Sequence, residues 1–478
     1  MPAHSVDLAI LAAYLAGTVL FGLVVGRRQQ GVDDYMVGNR DIPWWALLFS
    51  IVATETSTVT FLSIPGFAFA RDMTWLQIAF GFVAGRFAVQ WLLLPGYFAG
   101  SFFTAYEVLG RRFGGAVKPM ASLIFMVTRS LADGLRLFLT AIVVQEMAHI
   151  PLSWAIVLVG ATTILYTVVG GMKAVVWTDV AQFVVYIAGA SLALALLLGR
   201  IPGGWPRLMA LASAHGKLRV LDLGASLTNP YVLWAGLFGG MFLTLGSHGS
   251  DQLMVQRYFC ARSEREAGRA LWMSGFVVLA QFAFFLFIGV ALWGYYTLVP
   301  PAVPFDRPDR VFVHFIVSEM PAGVLGIVVG AIFAAAMSTL SSSLNASATA
   351  AVTDFYRPLR PQASPDRLLR VTRAFTAFFG AVQMGVAFLG PRFAESIVSE
   401  VLTIAGFTTG IILGVFFLGL FTRVGARSAL TAMILGLALM TWVHLGTPLA
   451  WPWYAMVGSL GTFAMGALAE GLWPSRPQ

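Results

Sequence analysis

The chain has 478 residues, of which 58% are hydrophobic and 11% charged, with net charge +8 and mean hydropathy +0.80. Soluble domains carry about 25% charged residues, so a water-soluble globule is excluded: its surface could not be covered. The basic excess sits in short loops between apolar runs, which points to orientation in a membrane and not to nucleic acid.

Thirteen segments approach the roughly 20 apolar residues that a membrane-spanning helix needs. They are 6–26, 43–68, 74–99, 119–148, 151–171, 175–199, 230–254, 267–297, 322–349, 370–390, 395–420, 427–447 and 452–472. The first lacks a basic flank and a cleavage site, so it reads as a retained helix and not a signal peptide. The connection 200–229 reads as an external loop with a short helix. The single cysteine, Cys260, allows no disulfide within the chain.

Alternate loops, beginning after the first segment, hold Arg27, Arg28, Arg40, Arg111, Arg112, Lys118, Lys173, Arg257, Arg262, Arg265, Arg269, Arg357, Arg360, Arg367, Arg370, Arg373, Arg423, Arg427 and Arg476. The opposite loops hold only Arg71, Arg200, Arg207, Lys217, Arg219, Arg307, Arg310 and Arg392. The positive-inside rule puts the N-terminus outside and the C-terminus in the cytoplasm of a cell inner (plasma) membrane protein. An odd number of crossings follows.

The second segment crowds Thr54, Glu55, Thr56, Ser57, Thr58 and Thr60 into its middle, with Pro65 and Gly66 beyond. β-branched and hydroxyl residues weaken a helix there. An unwound centre would free backbone carbonyls for a cation. In the third segment, Arg86 lies about 180° around the helix from Gln77, so the two are not expected to face one cavity, and Arg86 has no evident role.

The fourth segment places Arg129, Asp133 and Arg136 within about 60° of one another. Asp133 neutralises one arginine, which leaves one guanidinium to clamp a carboxylate. Asp179 is a further carboxylate inside an apolar run, to be paired with Lys173 or used for an ion. The ninth segment carries a polar fan. With Ser338 at zero, Ser341 lies at about −60°, Asn345 at about −20°, Ser342 at about 40° and Thr339 at about 100°. Neutral hydroxyls suit a weakly held monovalent cation; a divalent site would want several carboxylates.

Four stretches carry a resemblance. They are Thr104-Ala105-Tyr106-Glu107 with Arg112-Phe113-Gly114; Gly170 to Gln182; Ser250-Asp251-Gln252 with Gln256-Arg257; and Ala335 to Asn345. Through them the chain resembles the sodium/solute symporter family, which includes proline, galactose, sialic acid, monocarboxylate, iodide and multivitamin symporters. The resemblance implies an all-α membrane protein with LeuT-like inverted five-helix repeats and about thirteen transmembrane helices. Residues 1–30 would be an extra N-terminal helix, 31–199 the first repeat, 200–229 an external loop, 230–424 the second repeat, and 425–478 two C-terminal helices. The second broken helix would be the seventh segment, interrupted at Gly239-Gly240 and Gly246-Ser247-His248-Gly249.

The resemblance also implies Na+ as coupling ion. A first sodium would be held by carbonyls of Ala53, Thr56 and Ala335 and hydroxyls of Ser338 and Thr339, and a second by Asp179, Ser338, Ser341 and Ser342. The solute would be met by Ser57, Thr60, Gln77, Thr244, Ser247 and His248, with Arg136 or Arg129 as its carboxylate clamp. Glu55 departs from the relatives' Asp, Asn or Phe; a substrate amine, an arginine or a proton would each suit it, and Asp133 is the other pairing candidate.

The expected protein is a Na+-coupled symporter importing a small carboxylate or zwitterion by alternating access. Its partners are the solute, Na+ and the lipid bilayer, with no nucleic acid and no obligate protein partner. Proton coupling through Glu55 and Asp179 is the rival within transport, and a membrane sensor keeping the fold is the rival outside it. Some relatives are fused to kinase domains, whereas this chain stops shortly after its last segment, at Arg476-Pro477-Gln478. The intramembrane carboxylates are scattered, and no nucleophile–base pair or H-E-x-x-H spacing suggests an enzyme.

Overall fold

The computed structural model describes residues 5–27, 31–148, 150–301, 304–392 and 397–472. Arg28 and Arg476 of the positive-inside tally lie outside the described residues. Among the described residues the chain is all helix, apart from one isolated bridge between Ile42 and Ala261.

In the N-terminal half the helices are α1 (Ser5–Gly26), α2 (Val32–Val37), α3 (Trp44–Glu55), α4 (Thr58–Ala70), α5 (Leu76–Leu92), α6 (Leu94–Phe98), α7 (Ala105–Phe113), α8 (Val117–Ala148), α9 (Leu152–Arg200) and α10 (Gly204–Ala214). A π-turn at Ala235–Gly239 leads into α11 (Gly240–Gly249), α12 (Gln252–Phe259), α13 (Glu264–Leu298), α14 (Arg310–Glu319) and α15 (Val324–Ala351). A second π-turn, Val352–Tyr356, is followed by α16 (Arg357–Leu359), α17 (Pro365–Leu389), α18 (Ile397–Phe421), α19 (Ala426–Gly446) and α20 (Trp453–Leu472).

Helix falls on every one of the thirteen predicted apolar segments. Among the described residues seven helices are long and apolar enough to cross a membrane, or eight when the bent pair α3–α4 is one span. Two predicted segments, 151–171 and 175–199, are the single element α9, bent at Gly171 with φ 56° and ψ −162°. That backbone region is essentially restricted to glycine.

Two interruptions organise the rest. Between α3 and α4, Thr56 and Ser57 are extended and the axis turns by 60°. The second interruption lies at Ser250 and Asp251, between α11 and α12. Of the two places expected for that break, Gly246-Ser247-His248-Gly249 ends α11 directly before it, whereas Gly239-Gly240 passes from the π-turn straight into α11. Gly239 and Gly240 serve approach, the first to Pro452 and the second to α5. A Cβ on Gly81 of α5 would lie 2.8 Å from the Cα of Gly240. The contact seats α5 against α11 and lets their polar side chains meet.

The core runs along α15. Its residues from Val328 to Ala351 are all buried, packed against α9, α3, α8 and α17. Ala, Ser and Gly dominate this stretch, and small residues let helix backbones approach closely in lipid. The fan of hydroxyls therefore faces protein on every side.

Replacing Gly171 by Ala is expected to cost about 1–3 kcal/mol because φ 56°, ψ −162° excludes a Cβ. Thermal unfolding in detergent should show a lowered Tm. Gly385→Ala, where no atom lies within 4 Å of the new Cβ, should leave Tm unchanged or raised.

Candidate functional site

The break after Glu55 frees carbonyls, and α15 supplies the groups that meet them. Ser338 Oγ donates to the Ala53 carbonyl at 2.8 Å and lies 3.1 Å from the Ala335 carbonyl. Thr339 Oγ1 lies 2.9 Å from the Thr54 carbonyl and 3.5 Å from that of Thr56. Ala53, Thr56, Ala335, Ser338 and Thr339 thus converge in space, with the Thr54 carbonyl beside them. All five are buried. A cluster of neutral oxygens on unwound backbone is donor chemistry suited to Na+.

The extended segment is held from α9 and α13. Gln281 Nε2 donates to Thr56 Oγ1 at 2.7 Å, and Tyr186 donates to Gln281 Oε1 at 2.8 Å. Thr56 Oγ1 passes its own hydrogen to the Val52 carbonyl, 2.8 Å away. On the other side, Thr58 donates to Thr140 Oγ1 at 2.8 Å, because Thr140 gives its hydrogen to the Arg136 carbonyl at 3.0 Å. Ser57 and Thr60 cap the start of α4, where the Ser57 amide donates to Thr60 Oγ1 at 3.5 Å.

Asp179 has a partner that the charge tally misplaced. Arg257 was counted among loop residues, yet its side chain is buried on α12. Its Nη2 lies 3.0 Å from Asp179 Oδ2 and also donates to Thr54 and Ser342. Its Nε donates to Ser50 at 2.9 Å and its Nη1 to the Leu253 carbonyl at 2.6 Å. Ser50 donates to Asp179 Oδ2 at 2.6 Å. The pair is Arg257, not Lys173. Asp179 Oδ1, on the far side of the carboxylate, is buried and has no hydrogen-bond partner among the described residues. Ser341 and Ser342 donate back to the Ser338 carbonyl at 3.2 and 2.7 Å.

Arg86 acquires a role. It is fully buried on α5, where Nε donates to Ser274 at 3.0 Å and Nη1 to the Phe82 carbonyl at 3.1 Å. Its Nη2 reaches both Glu55 and His248 Nε2, the latter at 3.2 Å. A guanidinium can only donate, so His248 Nε2 accepts and the proton sits on Nδ1. That Nδ1–H donates to Ser247 Oγ at 2.9 Å, which leaves the Ser247 hydroxyl hydrogen for another acceptor. Glu55 keeps 18% of its side chain exposed while Arg86 keeps none, so the carboxylate is the accessible half of the pair.

The arginines of α8 are both matched. Arg136 pairs with Asp133, while Arg129 pairs with Asp251 and lies 3.9 Å from Asp133. The leftover positive charge expected on this helix is taken up by Asp251 at the second break. Arg136 Nε is buried and has no hydrogen-bond partner among the described residues, so this guanidinium keeps hydrogen-bonding capacity in reserve.

Two expected solute residues sit apart from this cluster. Gln77 lies at the N-terminal end of α5, donating to the Thr74 and Tyr231 carbonyls at 3.1 Å and accepting from the Asp222 amide at 2.9 Å. Thr244 packs its Cβ against Gly85. Asp251, Arg257, Gln281 and Tyr186 were not foreseen as site residues. Asp251 and Arg257 stood inside stretches used for the resemblance, and Gln281 is a lone amide in an apolar segment; polar residues there signal a buried partner.

A sequence model of the sodium:solute symporter family matches residues 35–436. The sodium/sialic acid symporter NanT of Aliivibrio fischeri is 30% identical over 96% of this chain and 91% of its own length. SiaT of Proteus mirabilis, also a sodium/sialic acid symporter, is 29% identical over 99% of this chain and 96% of its own. The human sodium/iodide cotransporter is 28% identical over 93% of this chain and 70% of its own length. A substrate-bound, outward-open structure of a Na+-coupled sialic acid symporter superposes with TM-score 0.91 at 29% identity, covering 99% of both chains. Mhp1, a nucleobase-cation symporter, shares the fold at TM-score 0.59 and 13% identity.

Removing one side of a buried ion pair strands the other charge, at a cost of about 3–5 kcal/mol. Arg257→Gln should therefore lower Tm sharply, and adding Asp179→Asn should restore more of it than either single change predicts. A thermal-unfolding double-mutant cycle on the purified protein measures this. Additive losses would show that the pair is not coupled.

Proposed function

The chain belongs to the sodium:solute symporter family with a LeuT-like fold, and from that premise we propose that it imports a small carboxylate-bearing solute, zwitterions included, by alternating access. Na+ is its coupling ion. The observation that carries the reading is the convergence of the Ala53, Thr56 and Ala335 carbonyls with the Ser338 and Thr339 hydroxyls at the α3–α4 break. We assign the first sodium to that cluster. The ion would replace the hydrogen bonds that these hydroxyls now make to the carbonyls. A second sodium is assigned to the unpartnered Oδ1 of Asp179 with Ser338, Ser341 and Ser342; Ser342 would exchange its contact with Arg257, which neutralises the Oδ2 side, for the ion.

Solute recognition falls to partly accessible charges around the break. Arg136, with its Nε free, is the carboxylate clamp; Thr140, one turn on, ties it to Thr58 at the start of α4. Glu55 offers its accessible carboxylate to a donor such as an ammonium or hydroxyl, and Ser247 offers a hydroxyl hydrogen. Three guanidinium groups (Arg86, Arg129, Arg136) stand against three carboxylates (Glu55, Asp133, Asp251), so the cluster is balanced. A balanced cluster favours a solute carrying both a carboxylate and a donor over a bare anion. In this reading the two halves 31–199 and 230–424 are the inverted repeats, each opening on its broken helix. The thirteen helical segments are crossings of the cell inner membrane, N-terminus outside and C-terminus cytoplasmic.

The test begins with a thermal-shift panel of organic acids, amino acids and sugars, with and without Na+. Labelled hits then enter proteoliposome uptake with Na+ and pH gradients imposed separately. Uptake should follow the Na+ gradient; uptake that ignored Na+ and followed pH would replace sodium by proton coupling. Ser338→Ala should raise the Na+ concentration for half-maximal uptake about tenfold, the loss of one good ligand interaction of about 1.5 kcal/mol.

Arg136→Ala should weaken solute binding roughly tenfold or more, with Arg136→Lys intermediate, because a lysine keeps the charge without the planar fork. Glu55→Gln should weaken only solutes bearing an ammonium group. Unchanged affinity in both Arg136 variants, read by Na+-dependent thermal shift, would remove this residue from the solute site.

A further inference from the structure

A wedge opens between the N-terminal parts of α8 and α17. The two helices meet tightly further along, where a Cβ on Gly134 would lie 2.5 Å from the Cβ of Val386. From that contact they diverge, and a wedge of about 570 Å³ opens between them. Leu123 and Val127 of α8 line one wall, and Phe375, Phe378 and Val382 of α17 line the other. The floor is the end of α15 and the π-turn that follows it, with Tyr356 among the lining residues. Phe378, Val127 and Leu123 are each about half exposed, so the wedge opens outward. π-turns often mark functional positions.

The lining of the wedge is almost wholly apolar, which suits a hydrocarbon chain. At the start of α17 a second hollow of about 430 Å³ is lined by Arg367, Arg370, Val371 and Ala374. Residues 367, 371, 374, 378 and 382 fall on one stripe of a helix, with Arg370 about 60° to the side of it away from Phe375, so the basic hollow adjoins the wedge along α17 and Arg367 lies on the shared stripe. Between 357 and 373 the chain carries five arginines against one acid, Asp366.

Resting on the membrane orientation proposed above, we propose that this wedge is a binding site for an anionic phospholipid of the cytoplasmic leaflet. One acyl chain lies between α8 and α17, and the headgroup phosphate is held by Arg367 and Arg370. Charge selects the occupant. Basic pockets between membrane helices on the cytoplasmic side recognise anionic headgroups, whereas a zwitterionic lipid would fill the apolar wedge without engaging the arginines. The lipid would touch the outer face of α8, which carries Arg129 and Arg136 on the inner side, and the end of α15, which carries the sodium hydroxyls. It would therefore brace the two helices that build the transport site.

The experiment uses the full-length protein, delipidated in detergent. It is titrated with phosphatidylglycerol and with phosphatidylcholine of the same acyl chains, and bound lipid is counted by native mass spectrometry. Phosphatidylglycerol should bind preferentially. The double variant Arg367→Gln/Arg370→Gln should weaken phosphatidylglycerol at least about tenfold, since each basic residue near the membrane contributes on the order of 1 kcal/mol, and should leave phosphatidylcholine unchanged. Arg423→Gln/Arg427→Gln removes the same charge from another loop and should keep the preference. Val127→Trp, which fills the wedge, should reduce retention of both lipids. Equal binding of the two lipids by the wild type would overturn the proposal, as would a preference that survives the Arg367/Arg370 variant.

Discussion

Backbone inside a bilayer must find its hydrogen bonds within the protein, and the break between α3 and α4 is where this chain meets that constraint most sharply. Thr56 and Ser57 leave the helix, and the carbonyls of Ala53, Thr54 and Thr56 lose their usual donors. The hydroxyls of Ser338 and Thr339 supply them. The buried run of small residues on α15 follows from this requirement, because only a closely packed helix brings its hydroxyls to the break. So does the arrangement of Tyr186 and Gln281, which fix Thr56 from the other side. In the proposed reading a sodium ion would compete for the same carbonyls, so the hydrogen bonds that hold the break together would also outline its site.

Charge obeys the same logic. Each carboxylate near the break lies against a guanidinium: Glu55 against Arg86, Asp179 against Arg257, Asp133 and Asp251 against the arginines of α8. Unpaired charges would be costly in so little water. The pairs also join elements far apart in sequence. Arg86 ties α5 to α3 and α11, and Arg129 ties α8 to the second break. Movement of either broken helix must therefore act on an ion pair, which would give a solute bound at the proposed site a physical route to the proposed sodium cluster.

Much of the fold could be read from composition and periodicity. Apolar length located every helix that coincides with a predicted segment, and the crowding of Thr54 to Thr60 located the first break. The second break is expected at Gly239-Gly240 and Gly246-Ser247-His248-Gly249. Gly240 instead lets α5 approach and Gly239 faces Pro452, and the interruption falls at Ser250-Asp251, immediately after Gly249, where Asp251 caps α12 through the Leu253 amide at 2.9 Å. Composition alone does not distinguish a glycine that unwinds from one that makes room.

Sequence by itself determined the membrane class, the hydroxyl fan and the residue types suited to sodium, because hydropathy and helical periodicity are local properties. Tertiary structure decided which charges are paired. Arg257 reads as a loop arginine until α12 turns it into the core beside Asp179. Arg86 has no role until α5 lies against α11. The arginine of α8 that seemed unmatched finds Asp251, 122 residues away. Ion pairs of that range carry no periodic signal, since any buried carboxylate could serve any buried guanidinium until packing chooses between them.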